Sequence, residues 1–250
     1  MKITFLGTSH GVPEKNRRCS CTMIQVGSNI YFVDMGINAL EELKNYDLDS
    51  KDVKAVFITH NHCDHTGGLY PFLAGLNCWW HRFSNTAIYL PAPKDELINA
   101  MGQMKMATGG TDPNFKNEFI EIEAGQIYDD GLLKVTAFRT KHCEVSYAFL
   151  FEAEGKRAFL SGDMCYKGPK DDFPVEILEK ENDLLVLESA HFDAPDLLEV
   201  FDGKENNIKR IRFTHYTNQR IPLIEEFIKA YKGNDVSLVT DGVSINLSFF

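Results

Sequence analysis

A chain of 250 residues with 44% hydrophobic side chains can bury a substantial core, and no Pro/Gly/Ser-rich linker divides it, so a single domain spanning residues 1–250 is expected. The formal net charge of −10 and a sequence pI of about 5.3 exclude a general electrostatic attraction to nucleic acid or to an anionic membrane. No apolar run approaches membrane-spanning length, and the opening MKITFLGTSHGVP lacks the charged and apolar regions of a secretory leader, which leads to the expectation of a cytoplasmic protein. The six cysteines (Cys19, Cys21, Cys63, Cys78, Cys143 and Cys165) are then read as reduced thiols, because disulfide frameworks belong to short secreted chains. Cys19 and Cys21 are too few and too closely spaced for a structural zinc site.

In chain order, KITFLG, TMIQV and NIYFVDMG predict three strands, and INALEELKNY predicts a helix with Leu40 and Leu43 on its apolar side. The β-branched run over residues 53–58 predicts the next strand, TGGLYPFLAGL the start of a helix, AIYLPA a strand and KDELINAMGQMKMA a further helix. In the second half FIEIEA, LLKVTAF, SYAFLFEA and KRAFLSG predict consecutive strands, VEILEKE a short helix and LLVLES a buried strand. IKRIRF has the same strand character, IPLIEEFIKAYK predicts a helix, and VSLVTD and SINLSFF predict the last strands. Strand-rich runs with helices returning between them in each half predict an α/β architecture of two packed sheets with helices outside.

The segment FITHNHCDHTGG runs from a strand directly into His60, His62, Asp64 and His65, so four metal-ligating side chains fall within six residues. Imidazole and carboxylate together suit zinc, manganese or iron, and adjacent Asp64 and His65 naturally face away from His60 and His62. A lone histidine is usually a satisfied structural residue; four ligands at a strand end followed by Thr66-Gly67-Gly68 point to a metal site.

His-x-His-x-Asp-His followed by glycine resembles the signature of the metallo-β-lactamase superfamily, and the resemblance extends over nearly the whole chain. It implies the four-layer αβ/βα sandwich, with two mixed β-sheets and helices on the outer faces. By the resemblance the remaining ligands come from later strand ends, at Lys141-His142-Cys143, Ser161-Gly162-Asp163 and Thr214-His215. Taken singly these residues read as structural; their order after the first motif reverses that reading. The resemblance assigns His60, His62 and His142 to one metal, Asp64, His65 and His215 to a second, and Asp163 to a bridge. Two divalent ions sharing a water lower its pKa and favour hydrolysis, with Asp64 placed among the catalytic groups as well as the ligands. Zinc is the first expectation for both ions, with manganese or iron as alternatives.

Two segments favour phosphodiester chemistry within that superfamily. FLGTSHGVP resembles the Gly-Thr loop of ribonuclease Z-like and cyclic-phosphate phosphodiesterase members, and DLLVLESAHF resembles the strand end in the phosphodiesterase of carbon-phosphorus lyase operons. His191, three residues after an acidic residue, would by that resemblance protonate the leaving oxygen; its structural alternative is a surface or helix-cap histidine. The expected activity is a metal-dependent phosphodiesterase on a small or nucleotide-like phosphodiester. The alternatives are a tRNA 3′-processing endonuclease of the ribonuclease Z kind, a lactone or thioester hydrolase, and a non-enzymatic metal-stabilised binding module. Nucleic acid is not favoured as partner, because the chain shows no Gly/Pro-rich basic insertion and reads HYTNQR after the last ligand, where Arg220 is the one candidate substitute for the serine- and arginine-bearing segment of ribonuclease Z. Homodimers are common in the superfamily, and a homodimer is carried as an open expectation on which the residues are silent.

Several neighbours keep two readings. Cys63 and Cys143 flank candidate ligands and read as packing residues before soft ligands or redox-sensitive thiols. Trp79, Trp80 and His81 in NCWWHRF suit an aromatic wall over a pocket as well as a core or interface patch, and His10 reads as an ordinary loop histidine that lies in reach of the metals at most.

Overall fold

A strand that is apolar at nearly every position buries both of its faces only if something covers each side, and the central strands of this chain are buried on both. The computed structural model describes residues 1–79, 85–233 and 235–247, the side chains of Cys78 and Trp79 excepted. Its strands are β1 (Lys2–Gly7), β2 (Cys21–Val26), β3 (Asn29–Val33), β4 (Val53–Phe57), β5 (Ala87–Leu90), β6 (Phe119–Glu121), β7 (Gly125–Asp129), β8 (Lys134–Thr140), β9 (Ser146–Ala153), β10 (Lys156–Leu160), β11 (Leu184–Glu188), β12 (Arg210–Thr214), β13 (Asp235–Leu238) and β14 (Ser244–Asn246). They form two seven-stranded sheets, ordered β14-β1-β2-β3-β4-β5-β6 and β13-β12-β11-β10-β9-β8-β7. Taken from β14 in the first sheet and from β7 in the second, both run through three antiparallel pairings and then three parallel ones.

The two sheets pack face to face through a shared core that takes Ile3 and Phe5 of β1, Ala55 and Phe57 of β4, Phe149 and Phe151 of β9, and Leu184 and Val186 of β11. The alternate residues of the same strands serve the outer faces. Val53, Val56 and Ile58 meet helices α1 (Ala39–Asn45), α3 (Leu69–Ala74) and α4 (Lys94–Ala107) through Leu40, Leu43, Phe72 and Met101. Leu185 and Leu187 meet α5 (Leu197–Phe201) and α6 (Ile221–Ala230) through Leu197, Phe201, Ile224 and Phe227. Sheets inside and helices outside give the four layers expected. Among the described residues no helix is long and apolar enough to cross a membrane.

Local signals set several ends. Asn38 caps α1 by accepting from the Leu40 amide at 3.3 Å, and Asp95 and Glu96 occupy the first turn of α4, where the helix dipole favours negative charge. The predicted VEILEKE helix is a 3-10 turn over Val175–Glu179, since Pro174 and the approaching strand leave no length for an α-helix. Strand β7 and helix α5 carry too few periodic residues to have been predicted, and SINLSFF supplies a described strand of only three residues.

Candidate metal centre

The candidate ligands sit at one edge of the sandwich because their loops all leave strands there. After β4 the chain passes Thr59 and His60, and His62 opens the one-turn helix α2 (Cys63–Thr66) that carries Asp64 and His65. That turn is zipped to the loop following β3: the Met35 amide donates to the His65 carbonyl and the Gly68 amide to the Met35 carbonyl, both at 2.7 Å. Gly36 makes the approach feasible, since a Cβ there would lie 1.9 Å from the Asp64 carbonyl oxygen. In the second sheet His142 lies in the turn between β8 and β9, while Asp163, His191 and His215 follow β10, β11 and β12. His215 holds a left-handed backbone, φ 46°, a strained conformation for a non-glycine residue and one common at functional sites.

These side chains converge on Asp163. Its Oδ2 lies 3.6 Å from His60 Nε2, 3.6 Å from His142 Nε2, 3.3 Å from His215 Nε2 and 3.7 Å from His191 Nε2. His65 Nε2 stands 3.5 Å from Asp163 Oδ1 and 3.3 Å from Asp64 Oδ2, and His62 Nδ1 is 2.9 Å from His60 Nε2 and 3.2 Å from His142 Nε2. Three overlapping groups result: His60, His62, His142 and Asp163; Asp64, His65 and His215; Asp163, His191 and His215; within each, the candidate ligand atoms lie within 4.8 Å of one another. His65 Nε2 and Asp163 Oδ1 are buried without a hydrogen-bond partner although they face each other, which a cation between them would resolve. An imidazole and carboxylate donor set of this kind fits divalent zinc, manganese or iron.

The electrostatics prepare His60 and Asp163 to be donors. Burial pushes His60 down to about 2, so its ring is neutral with a lone pair available. Burial opposes the charge on Asp163, but His215 and His65 hold it well below the usual carboxylate range. Burial likewise opposes the charge on His65; the carboxylates of Asp163 and Asp34 outweigh it and raise that imidazole well above its ordinary value. His65 is thus a proton holder among three carboxylates, a position in which a metal ion would replace the proton.

Two further residues complete the site, and reading ligand motifs alone does not find them. Asp34, buried after β3, accepts from His65 Nδ1 at 2.7 Å and from the Thr59 amide and hydroxyl at 2.8 and 2.9 Å, so it fixes which nitrogen of His65 faces Asp163. The signal was an aspartate ending the apolar run NIYFV. Glu188, 1% exposed at the end of β11, accepts His191 Nδ1 at 2.9 Å together with the amides of Met164, Ala190 and His191. Burial disfavours a charged His191, yet the Glu188 hydrogen bond and charge, with Asp163, raise its pKa above the ordinary value.

Of the remaining candidates, His10 lies 3.7 Å from Glu14 and takes part in none of the donor groups. Arg220 pairs with Asp193 and reaches the Ala190 carbonyl at 3.4 Å, which ties the His215 loop to the His191 loop. Cys63 is exposed, and Cys143 donates to the Val145 carbonyl at 3.3 Å; neither joins a donor group. Among the described cysteines Cys19, Cys21, Cys63, Cys143 and Cys165 are free thiols. Trp80 and His81 lie outside the described residues, as does the side chain of Trp79.

Comparison with known proteins bears on the family and the fold. The family model described as "Anti-Pycsar protein Apyc1" matches residues 1–217. A ribonuclease Z of Listeria monocytogenes serotype 4b is 27% identical over 207 residues, which cover 82% of this chain and 63% of the relative. The chain therefore spans about three fifths of the length of that protein. Among solved structures, the metallo-beta-lactamase fold protein YhfI from Bacillus subtilis superposes with a TM-score of 0.77 at 19% identity, covering 98% of this chain and 99% of that one. The short form of human tRNase Z superposes with a TM-score of 0.74 at 20% identity over 100% of both chains. The fold is the metallo-β-lactamase sandwich.

Proposed function

The chain belongs to the Anti-Pycsar protein Apyc1 family, and from that membership and the geometry at Asp163 we propose a dinuclear metal-dependent phosphodiesterase acting on a small or nucleotide-like phosphodiester. The observation that carries the reading is the position of His191: its Nε2 faces the same Asp163 oxygen as the two donor groups, while Glu188 holds its Nδ1. In the first group His60, His62 and His142 would hold one ion, in the second Asp64, His65 and His215 the other, with Asp163 between them. Ions bound there would activate a water and neutralise charge on the phosphoryl oxygens.

What the chain itself does follows from its protons. With Nδ1 donating to Glu188, Nε2 of His191 carries a proton only when the ring is doubly protonated, and the raised pKa favours that form. The proton then available at Nε2 goes to the departing oxygen, and Glu188 stabilises the ring in the orientation that delivers it. Asp34 keeps the His65 ring turned toward Asp163 throughout. Asp64 serves in this reading as ligand and as part of the catalytic constellation. We propose zinc for both ions, a single domain over residues 1–250 and a cytoplasmic location.

The ribonuclease Z relative favours a second reading, tRNA 3′ processing. A net charge of −10 weighs against it, since RNA affinity rests on neutralising phosphates with basic side chains. The deciding experiment is hydrolysis of bis(p-nitrophenyl) phosphate by protein of quantified metal content, run beside a pre-tRNA substrate and the His191→Ala variant. Turnover of the small diester, lost in the variant with metal retained, supports the proposal. A fully metal-loaded protein that leaves the small diester intact sinks it, and cleavage of pre-tRNA alone transfers the function to the second reading.

A further inference from the structure

We infer that Asp172 is a positioning residue that sets where His142 stands against Asp163, an inference that rests on the ligand sets proposed above. The histidines of the candidate centre are not held alike. The Thr59 hydroxyl lies 3.0 Å from His60 Nδ1, Asp34 accepts from His65 Nδ1 at 2.7 Å, and Glu188 holds His191 Nδ1 at 2.9 Å. His142 Nδ1 is buried and has no hydrogen-bond partner, so nothing polar behind the ring fixes its direction. His215 Nδ1 shares this lack, and its loop is braced through the main chain, where Arg17 donates to the Tyr216 carbonyl at 2.7 Å. Apart from its ring packing against His191, at 4.4 Å between centroids, His142 likewise takes its position from its backbone.

Asp172 ties that backbone down. The Lys141 amide, one residue before His142, donates to Asp172 Oδ1 at 2.8 Å, and the Cys165 amide, two residues after Asp163, donates to Oδ2 at 2.7 Å. One carboxylate thus joins the turn after β8 to the loop after β10, the two segments whose candidate ligand atoms, His142 Nε2 and Asp163 Oδ2, stand 3.6 Å apart. A second tie runs beside it, from the Thr140 hydroxyl to the Asp163 carbonyl at 2.9 Å. Asp172 is itself fixed: it is buried, its amide donates to the Pro169 carbonyl at 3.1 Å, and the adjacent Phe173 ring packs against Phe159 of β10 and Phe201 of α5, with centroids 5.4 Å from each. Among the described hydrogen bonds its carboxylate touches no candidate ligand, so it acts through the chain it holds. The tie calls for a carboxylate, because two main-chain donors on different oxygens need two acceptors, whereas an amide side chain offers one acceptor and one N–H group.

Zinc affinity read by chelator competition tests this without turnover. Asp172→Asn keeps the size of the side chain and cuts one of its two links, and a loss of about tenfold is expected, the lower end of what partners behind the ligands contribute. Deleting one histidine leaves the other ligand set to be read. In a His215→Ala background Asp172→Asn is expected to weaken zinc by about tenfold again, and in a His142→Ala background by less than about twofold, because the residue it works through is gone. Undiminished affinity in Asp172→Asn overturns the inference, as does a further loss that is equal in the two backgrounds, which assigns Asp172 to general packing. If Asp172→Asn loses its folded circular dichroism, Thr140→Val cuts the other tie between the same loops and the same two backgrounds decide. His142→Ala alone reads the ligand set: undiminished zinc affinity there removes that assignment and the inference with it. A protein that meets every zinc expectation yet hydrolyses no phosphodiester keeps Asp172 in this role and loses only the proposed reaction.

Discussion

The two sheets share one pairing plan and differ in how they feed the candidate centre. In the first, the loop after β4 alone delivers His60, His62, Asp64 and His65; in the second, four separate loops deliver His142, Asp163, His191 and His215 one at a time. Matched along the common order, β3 stands where β10 does, and each is followed by a buried aspartate: Asp34 after β3, Asp163 after β10. These two carboxylates flank opposite nitrogens of His65, Asp34 bonded to Nδ1 at 2.7 Å and Asp163 facing Nε2 at 3.5 Å. Equivalent positions in the two halves thus do unlike work, one orienting a candidate ligand and the other standing among the ligands. A dense site can rest on a dispersed one because strand ends of both sheets meet at a single edge.

The sharpest way to break the comparison is at Asp163, where both halves meet. Asp163→Ala is expected to lower turnover of bis(p-nitrophenyl) phosphate by about 10³-fold and to reduce bound metal, measured by elemental analysis on the same preparation. His191→Ala tests a second-sheet residue outside both proposed ligand sets. The expected loss is about 10²-fold with metal content unchanged, and larger for an alkoxide leaving group than for p-nitrophenolate, which departs with little help from a proton. Asp34→Asn, at the equivalent of Asp163, is expected to weaken metal affinity by about 10- to 100-fold in chelator competition while leaving the fold intact by circular dichroism; undiminished affinity would mean the Asp34–His65 contact does no orienting.

Stability gives the smaller effects. Metal at about a hundred times its dissociation constant should raise the unfolding free energy by about 3 kcal/mol, seen as a lower Tm after chelation and its recovery on zinc addition. Gly36→Ala places a methyl against the Asp64 carbonyl and should cost about 1–3 kcal/mol in denaturant unfolding, with a matching loss of metal affinity because the displaced turn carries Asp64 and His65.

The same contrast explains what the sequence disclosed. Four ligands in six residues after a β-branched run are visible without any coordinates, and near-continuous apolar runs in β4 and β11 announce strands buried on both faces. His142, Asp163 and His215 are separated by tens of residues, so only the resemblance to a family put them in one list. Asp34 escaped because a lone acidic residue at a strand end carries no spacing signal, and Glu188, visible only as the acidic residue three before His191, was given no role of its own; both roles depend on which imidazole the fold brings within 3 Å. The 3-10 turn at Val175–Glu179 shows the limit of periodicity over a short segment bounded by proline.

Arg17 has a consequence for how the molecule comes into being. Its buried guanidinium donates to the Thr8 carbonyl at 3.2 Å, to the Tyr216 carbonyl at 2.7 Å and to Asn218 at 3.0 Å, and lies 4.0 Å over the Tyr216 ring, 199 residues away along the chain. The first sheet also waits for β14 to flank β1. On a ribosome the first motif is made early, yet the loop that braces His215 cannot lock until residue 218 has emerged. The brace on the His215 loop is thus a long-range closure that follows synthesis of the first motif, a timing set by one cation whose partners lie at residues 8, 216 and 218.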